Sequence, residues 1–290
     1  MKKMISRRQF LAVAGICAVA GALSACGASS STAASAPASA GAASAADSAA
    51  ADSDWAYISG KGTLVIGMTI FDPMNYYDAD GKLIGFDTEL AEAACSKLGL
   101  EPVFQEIEWD NKVIELEAKN IDCILNGMTI TEALGQSIDF SVPYSGNMQV
   151  CVINQANKDV FTDLDSINAA GVQVGAEAGS AGEAAAEEFL ANATLTSVNA
   201  QRDCLLELKS QTLDVGVIDY VMADASTGEG TDYTDLMIVE GVELSKEEYG
   251  IGLRKGSDLT ARLNDALAEL VADGTVDALA EKYPSVMVIL

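Results

Sequence analysis

The chain of 290 residues carries 43 acidic against 17 basic residues, a formal charge of −26, and no histidine. So acidic a surface repels phosphate backbones and anionic lipid, which sets nucleic-acid binding aside. The missing imidazole removes Ser-His-Asp and Cys-His catalysis and every imidazole metal site, and the six cysteines lack metal-type spacing, so neither a metal nor a cofactor is expected. A hydrophobic share of 49% is ample for real cores.

The first residues are basic (Lys2, Lys3, Arg7, Arg8) and lead into an apolar run, Phe10 to Leu23, that ends in Leu23-Ser24-Ala25-Cys26. That order reads as an export signal, residues 1–26. Its ending resembles a bacterial lipobox, which implies cleavage before Cys26 and lipid attachment to that thiol. Ser6-Arg7-Arg8-Gln9-Phe10-Leu11 resembles a twin-arginine signal, and the sequence leaves the general and twin-arginine routes both open. Residues 27–53, almost entirely Ala, Ser, Gly and Thr, have nothing to bury and read as a flexible spacer, so the folded body is expected to begin near Trp55.

Thr63 to Gly67 is a glycine-bounded apolar strand that leads into an aromatic-bearing loop, Met68 to Tyr76, with an Asp80-Gly81 turn beyond it. Phe86 to Leu98 has helical periodicity with Gly99 as its stop. A strand at Val103 to Ile107 is followed by a helix from Asp110 to Lys119 with Asn120 as a left-handed stop, then by a short strand, Ile121 to Leu125. Gly127 to Tyr144 (GMTITEALGQSIDFSVPY) reads as a loop of small and hydroxylic residues at a strand's carboxyl end, where open α/β sheets bind ligands. A strand at Met148 to Ile153 opens a second series, with strands at Val172 to Gly175, Leu195 to Val198 and Val215 to Ile218 and helices at Ala181 to Ala191, Ala200 to Ser210 and after Asp219. A strand at Tyr249 to Arg254, a helix from Ser257 or Asp258 to Ala272, and a last helix from Gly274 to Tyr283 complete the chain, before an apolar tail at Val286 to Leu290 that is either docked or exposed. Alternating strands and helices predict an α/β fold with parallel sheets, and two such series suggest two lobes. Cys95, Cys123, Cys151 and Cys204 sit in apolar contexts that predict buried free thiols.

Six segments in this order, GKLIGFDTELAEA, the Gly127 to Tyr144 stretch, VGAEAGSAGE, LDVGVIDYVMA, EEYGIGLRKGS and ADGTVDALAEKY, make the stretch from Lys61 to Tyr283 resemble the extracellular solute-binding proteins of amino-acid importers, family 3. The resemblance implies a type II periplasmic-binding-protein fold, two α/β lobes joined by two crossover strands that close on one solute. The crossings fall near Gly146 to Val152 and Val239 to Ser245, with lobe 1 discontinuous (57–147 plus 244–290) and lobe 2 at 148–243. It also implies a monomeric, non-enzymatic receptor, lipid-anchored at the outer face of the cell membrane, that hands an amino acid or small amine to an ABC permease.

Carried over residue by residue, the resemblance makes Phe71 the aromatic on which the solute packs, with Thr69 and Asp72 beside it, whereas Trp109 reads as packing. Gly127 and Thr129 match the positions that offer a carbonyl and a hydroxyl to an ammonium, and Asp219 matches the carboxylate that holds it, although a carboxylate at this strand end could instead cap the next helix. Gly179, Ser180 and Glu183 form a capping box at a helix start whose N–H groups suit an anion. Two positions depart from the pattern: Leu134 stands where relatives usually place a carboxylate-gripping Arg, and Ala181 where a second hydroxyl is common. The carboxylate contact therefore passes to another cation, Arg202 or Lys112, or the solute lacks a carboxylate, or recognition has decayed. Glu177 either adds negative charge to the cleft or faces water. The rival class is an enzyme on the same scaffold, resembling a cyclohexadienyl dehydratase, with Glu177 and Asp219 as its acids.

Overall fold

The computed structural model describes residues 53–290. The signal, the lipidation position Cys26 and the spacer up to residue 52 lie outside the described residues. The body begins with a helix the sequence reading did not contain, α1 (Asp54–Lys61). Ser53 caps its start by accepting the Ala56 N–H, and Gly62 closes it in the left-handed conformation. Asp54 in the first turn is paired with the buried Arg254, whose Nε–H is shared between the two carboxylate oxygens at 2.8 and 3.0 Å, which joins the beginning of the body to its last third.

The first sheet contains β1 (Thr63–Met68), β4 (Glu101–Glu106), β5 (Cys123–Ile124), β6 (Ile138–Phe140) and β12 (Gly252–Arg254), in the order β4-β1-β5-β12-β6. A small antiparallel pair, β2 (Tyr76–Tyr77) and β3 (Leu83–Ile84), flanks the Asp80-Gly81 turn. The helix α2 (Phe86–Leu98) ends at Gly99 as its periodicity predicted, and buries Phe86, Leu90, Ala91 and Ala94. The expected helix at 110–119 is shorter: a single turn at Trp109–Asn111 leads into α3 (Lys112–Glu117), and Lys119, not Asn120, takes the left-handed conformation. The Gly127 to Tyr144 stretch is not all loop. It contains α4 (Glu132–Ser137), capped by Thr131, and the edge strand β6.

The second sheet contains β7 (Ser145–Asn154), β8 (Gln173–Glu177), β9 (Thr194–Val198), β10 (Val215–Asp219) and β11 (Leu236–Tyr249), in the order β11-β7-β10-β8-β9. Between them run α5 (Leu164–Ile167), α6 (Ala181–Phe189), α7 (Gln201–Ser210) and α8 (Tyr220–Ser226). The strand expected at 249–254 is in fact two: β11 ends at Tyr249, Gly250 and Ile251 intervene, and β12 joins the other sheet. The chain thus passes from the first sheet to the second between β6 and β7 and returns between β11 and β12. Because of those passages the sheets are mixed, not purely parallel: β7 lies antiparallel to β10 and β11, and β12 antiparallel to β5 and β6, whereas β1-β4, β1-β5, β8-β9 and β8-β10 are parallel.

The helices α9 (Leu259–Ala272) and α10 (Thr275–Lys282) bury Leu263, Leu267, Leu270, Val276 and Leu279 in the core that α2 also lines. The apolar tail is docked: β13 (Met287–Val288) pairs with β7, and the Ile289 N–H donates to the Tyr144 carbonyl at 3.0 Å. Cys95, Cys123, Cys151 and Cys204 are buried free thiols, as their contexts predicted.

Candidate functional site

A cavity of about 210 Å³ opens between the carboxyl ends of β1 and β5 on one side and of β8 and β10 on the other. Nine of the residues singled out in the sequence line it, Thr69, Phe71, Gly127, Thr129, Leu134, Glu177, Gly179, Ser180 and Asp219, whereas Asp72, expected beside Phe71 on the solute, lines a neighbouring pocket. Parallel strands whose carboxyl ends converge leave their following loops around one space, so residues more than a hundred positions apart share one wall.

The wall beside β1 is apolar and tightly keyed. Phe71 is buried, and its ring presses on the backbone of Gly127, where a Cβ would lie 2.4 Å from Phe71 Cε1. Gly127 has φ +56, so the position excludes side chains on both conformational and steric grounds. Asn126 holds the opposite loop in place by accepting from the Thr69 N–H at 3.0 Å and from its hydroxyl at 2.8 Å, and by donating to the Thr69 carbonyl at 2.9 Å. Leu134 packs with Trp109, Ile121, Met128 and Ile138, so it contributes an apolar surface and no charge. Trp109 both packs in that cluster and faces the cavity.

The opposite wall is acidic. Asp219 ends β10 at the capping position of α8, yet its side chain makes no capping bond. The capping alternative therefore falls away. Its Oδ1 accepts from Tyr249 Oη at 2.6 Å, from Gln149 Nε2 at 2.8 Å and from Asn147, while Oδ2 accepts from Gln201. The Asn147 and Gln149 amides also donate to Glu247, at 3.0 and 2.6 Å, and Glu247 accepts from the Thr129 hydroxyl. Asp219 is thus tied through shared donors to a second, half-buried carboxylate on β11. Burial pushes Asp219 up to about 7 with the nearby Glu247 charge adding to the rise, and burial raises Glu247 as well.

Glu177, the last residue of β8, does not face water. It is 3% exposed, lines the cavity, and its Oε1 has no hydrogen-bond partner. Burial lifts its carboxyl to about 8, with Asp219 reinforcing the rise and Lys112 opposing it.

Of the two proposed substitute cations, only Lys112 reaches this cavity; Arg202 lines a neighbouring one with Asp72, Tyr76, Asp232 and Tyr233. Arg202 misses because Gln201, one position earlier on α7, takes the inward place. Lys112 is buried, and its Nζ donates to the carbonyls of Gly179 at 2.8 Å and Trp109 at 3.2 Å. Burial lowers its pKa against the opposing pull of Glu177, Asp110 and Glu183.

The start of α6 is less open to an anion than the sequence implied. The Gly179 N–H donates to Glu183 Oε2 at 2.7 Å, the Ser180 N–H to the Glu177 carbonyl at 3.1 Å, and the Glu183 N–H to Ser180 Oγ at 3.0 Å. The box occupies those three groups, whereas the Ala181 and Gly182 N–H groups of the first turn donate to no group among the described residues.

Sequence reasoning missed Asn126, Asn147, Gln149, Gln201 and Glu247. Gln149 lies on β7, where a buried polar residue preceding an apolar run was the available signal, whereas Glu247 sits in a polar run of β11 that carries no such signal.

Two lobes with a ligand-sized cleft and a carboxylate anchored at its floor define a solute-binding protein. Residues 64–285 match the family of bacterial extracellular solute-binding proteins, family 3, and the chain belongs to that family. It is 32% identical over 230 residues to the L-cystine-binding protein TcyJ of Escherichia coli (strain K12), covering 78% of this chain and 84% of that protein. Among solved structures it is similar to an ancestral arginine-binding protein bound to arginine (34% identity, TM-score 0.71, 77% of this chain and 98% of that one). It is also similar to an ancestral amino acid-binding protein, AncCDT-1, described as a precursor of cyclohexadienyl dehydratase (29% identity, TM-score 0.73, 80% and 99%).

Proposed function

We propose that this chain is the receptor of an ABC importer, capturing an amino acid or related small amine in the cavity and handing it to the membrane permease without chemistry of its own. The observation that carries this reading is the buried Asp219, which is oriented by four donors at the floor of a cavity roofed by Phe71. Its Oδ2, with a single donor, has room for an incoming ammonium. Phe71, Thr69 and Leu134 form the apolar roof, Gly127 and Thr129 the flank, and Glu177, Gly179 and Ser180 the opposite rim. Residues 57–147 with 244–290 act as one lobe and 148–243 as the other, closing over the solute as monomers of this architecture do. The lipobox-like Cys26 and the Ala/Ser-rich spacer favour a lipid-tethered receptor outside the cell membrane, where a tether raises its concentration near the permease.

The test is a thermal-shift screen against amino acids, amines and dipeptides. A ligand at about 100 times its Kd adds about 2.7 kcal/mol, which for a body of this size raises Tm by about 5–10 °C. A screen in which no small nitrogenous solute moves the transition overturns the receptor reading. Incubation with prephenate or arogenate is expected to release no product; turnover would favour the enzymatic rival, with Glu177 as a general acid.

A further inference from the structure

We propose that the solute of this cavity is a small dication without a free carboxylate, of the diamine or guanidino-amine class, anchored at one end by Asp219 and at the other by Glu177. The inference rests on the receptor reading above and specifies its ligand.

Asp219 and Glu177 end neighbouring parallel strands, β10 and β8, and both face the cavity. The two differ in how well the protein serves them. Asp219 is surrounded by neutral donors, the amides of Asn147, Gln149 and Gln201 and the Tyr249 hydroxyl. Glu177 is 3% exposed with an oxygen that nothing in the described residues reaches. A buried unsatisfied carboxylate is costly, and a bound donor removes that cost. Gln201 and Lys112 favour the Glu177 carboxylate, yet its Oε1 keeps no donor, and a second positive group on the solute satisfies it.

The same wall gives a carboxylate little to hold. Among the described residues no arginine lines the cavity, and Leu134, Ala181 and Ala184 present hydrocarbon there. Lys112, its one lysine, already donates to the Gly179 and Trp109 carbonyls and stands among Glu177, Asp110 and Glu183. At the start of α6, Glu183 itself occupies the Gly179 N–H and Ser180 the Glu183 N–H, which leaves a solute carboxylate the Ala181 and Gly182 N–H groups with no arginine beside them. The flat faces of Phe71 and Trp109 suit the hydrocarbon chain or planar guanidinium that would join the two ends.

The experiment is calorimetric titration of the purified chain with pairs of probes that differ only by a carboxylate: putrescine with ornithine, cadaverine with lysine, and agmatine with arginine. The decarboxylated member of at least one pair is expected to bind about tenfold or more tightly than its amino acid. Glu177→Gln, which keeps the shape and removes a buried charge, is expected to weaken that dication about ten- to a hundredfold without lowering Tm. An amino acid that binds better than its decarboxylated partner overturns the proposal, as does an unchanged dication affinity in Glu177→Gln. If none of the six binds while other amino acids raise Tm, the ligand class is wrong and the receptor reading stands. If no solute of any kind binds, both fall.

Discussion

Gly127→Ala isolates the contact on which the roof of the cavity depends. The position has φ +56, and an alanine held in the left-handed region costs about 1–2 kcal/mol. The new Cβ would lie 2.4 Å from Phe71 Cε1 and 3.2 Å from Tyr249 Cε2, against an ordinary contact of 3.4 Å or more, so the Phe71 ring must retreat by about 1 Å. Overpacking of this kind costs a further 1–3 kcal/mol or so, which brings the total to about 2–5 kcal/mol and the loss in Tm to the order of 10 °C. Gly99→Ala supplies the control. Its φ is +69 and nothing lies within 4 Å of its Cβ, so it carries the backbone cost alone. Calorimetric unfolding of the two variants, with titration of the strongest ligand from the solute screen, separates the terms. Gly127→Ala should lose distinctly more stability than Gly99→Ala and bind the ligand about tenfold or more weakly, because the displaced ring no longer fits over the solute. Equal losses in the two variants, or unaltered binding in Gly127→Ala, would refute the claim that Phe71 is seated on Gly127.

Leu134→Arg places a guanidinium on the apolar side of the cavity and is expected to strengthen binding of ordinary α-amino acids by about ten- to a hundredfold, measured by titration with arginine and lysine; no gain would mean that residue 134 does not reach the solute. Stability should depend on pH through the buried acids Asp87, Glu177 and Asp219, which burial raises to about 7, 8 and 7. Each holds its proton more tightly when folded than when unfolded, so its contribution is full below the ordinary carboxylate range and is lost as pH rises toward 8. Tm of the ligand-free protein should therefore fall between pH 5 and pH 8, with a shallower fall in Glu177→Gln; a Tm that rises across this interval would contradict the burial of these groups.

The local signals in the chain were legible because they are encoded over short spans. The periodicity of Phe86 to Leu98 and the glycine after it fixed α2 to the residue. The glycine-bounded apolar runs located β1 and β10, and the ordered motifs identified the family together with the nine residues that line one cavity. The sequence also determined that residue 134 carries no charge. It did not reveal α1, whose place is secured by the Asp54 pair with Arg254 two hundred residues away, or the break between β11 and β12, where Gly250 and Ile251 carry the chain between sheets. Such features are decided by long-range partners, and a local pattern contains no record of them. The same holds for the electrostatics. Whether Glu177 faced water or the cavity, whether Asp219 capped a helix, and whether Lys112 or Arg202 reached the cavity each depended on which side of a wall the side chain emerged. Only the packed tertiary structure, by removing water from Glu177 and Asp219 and seating Glu183 on the Gly179 N–H, gave the cleft its acidic wall.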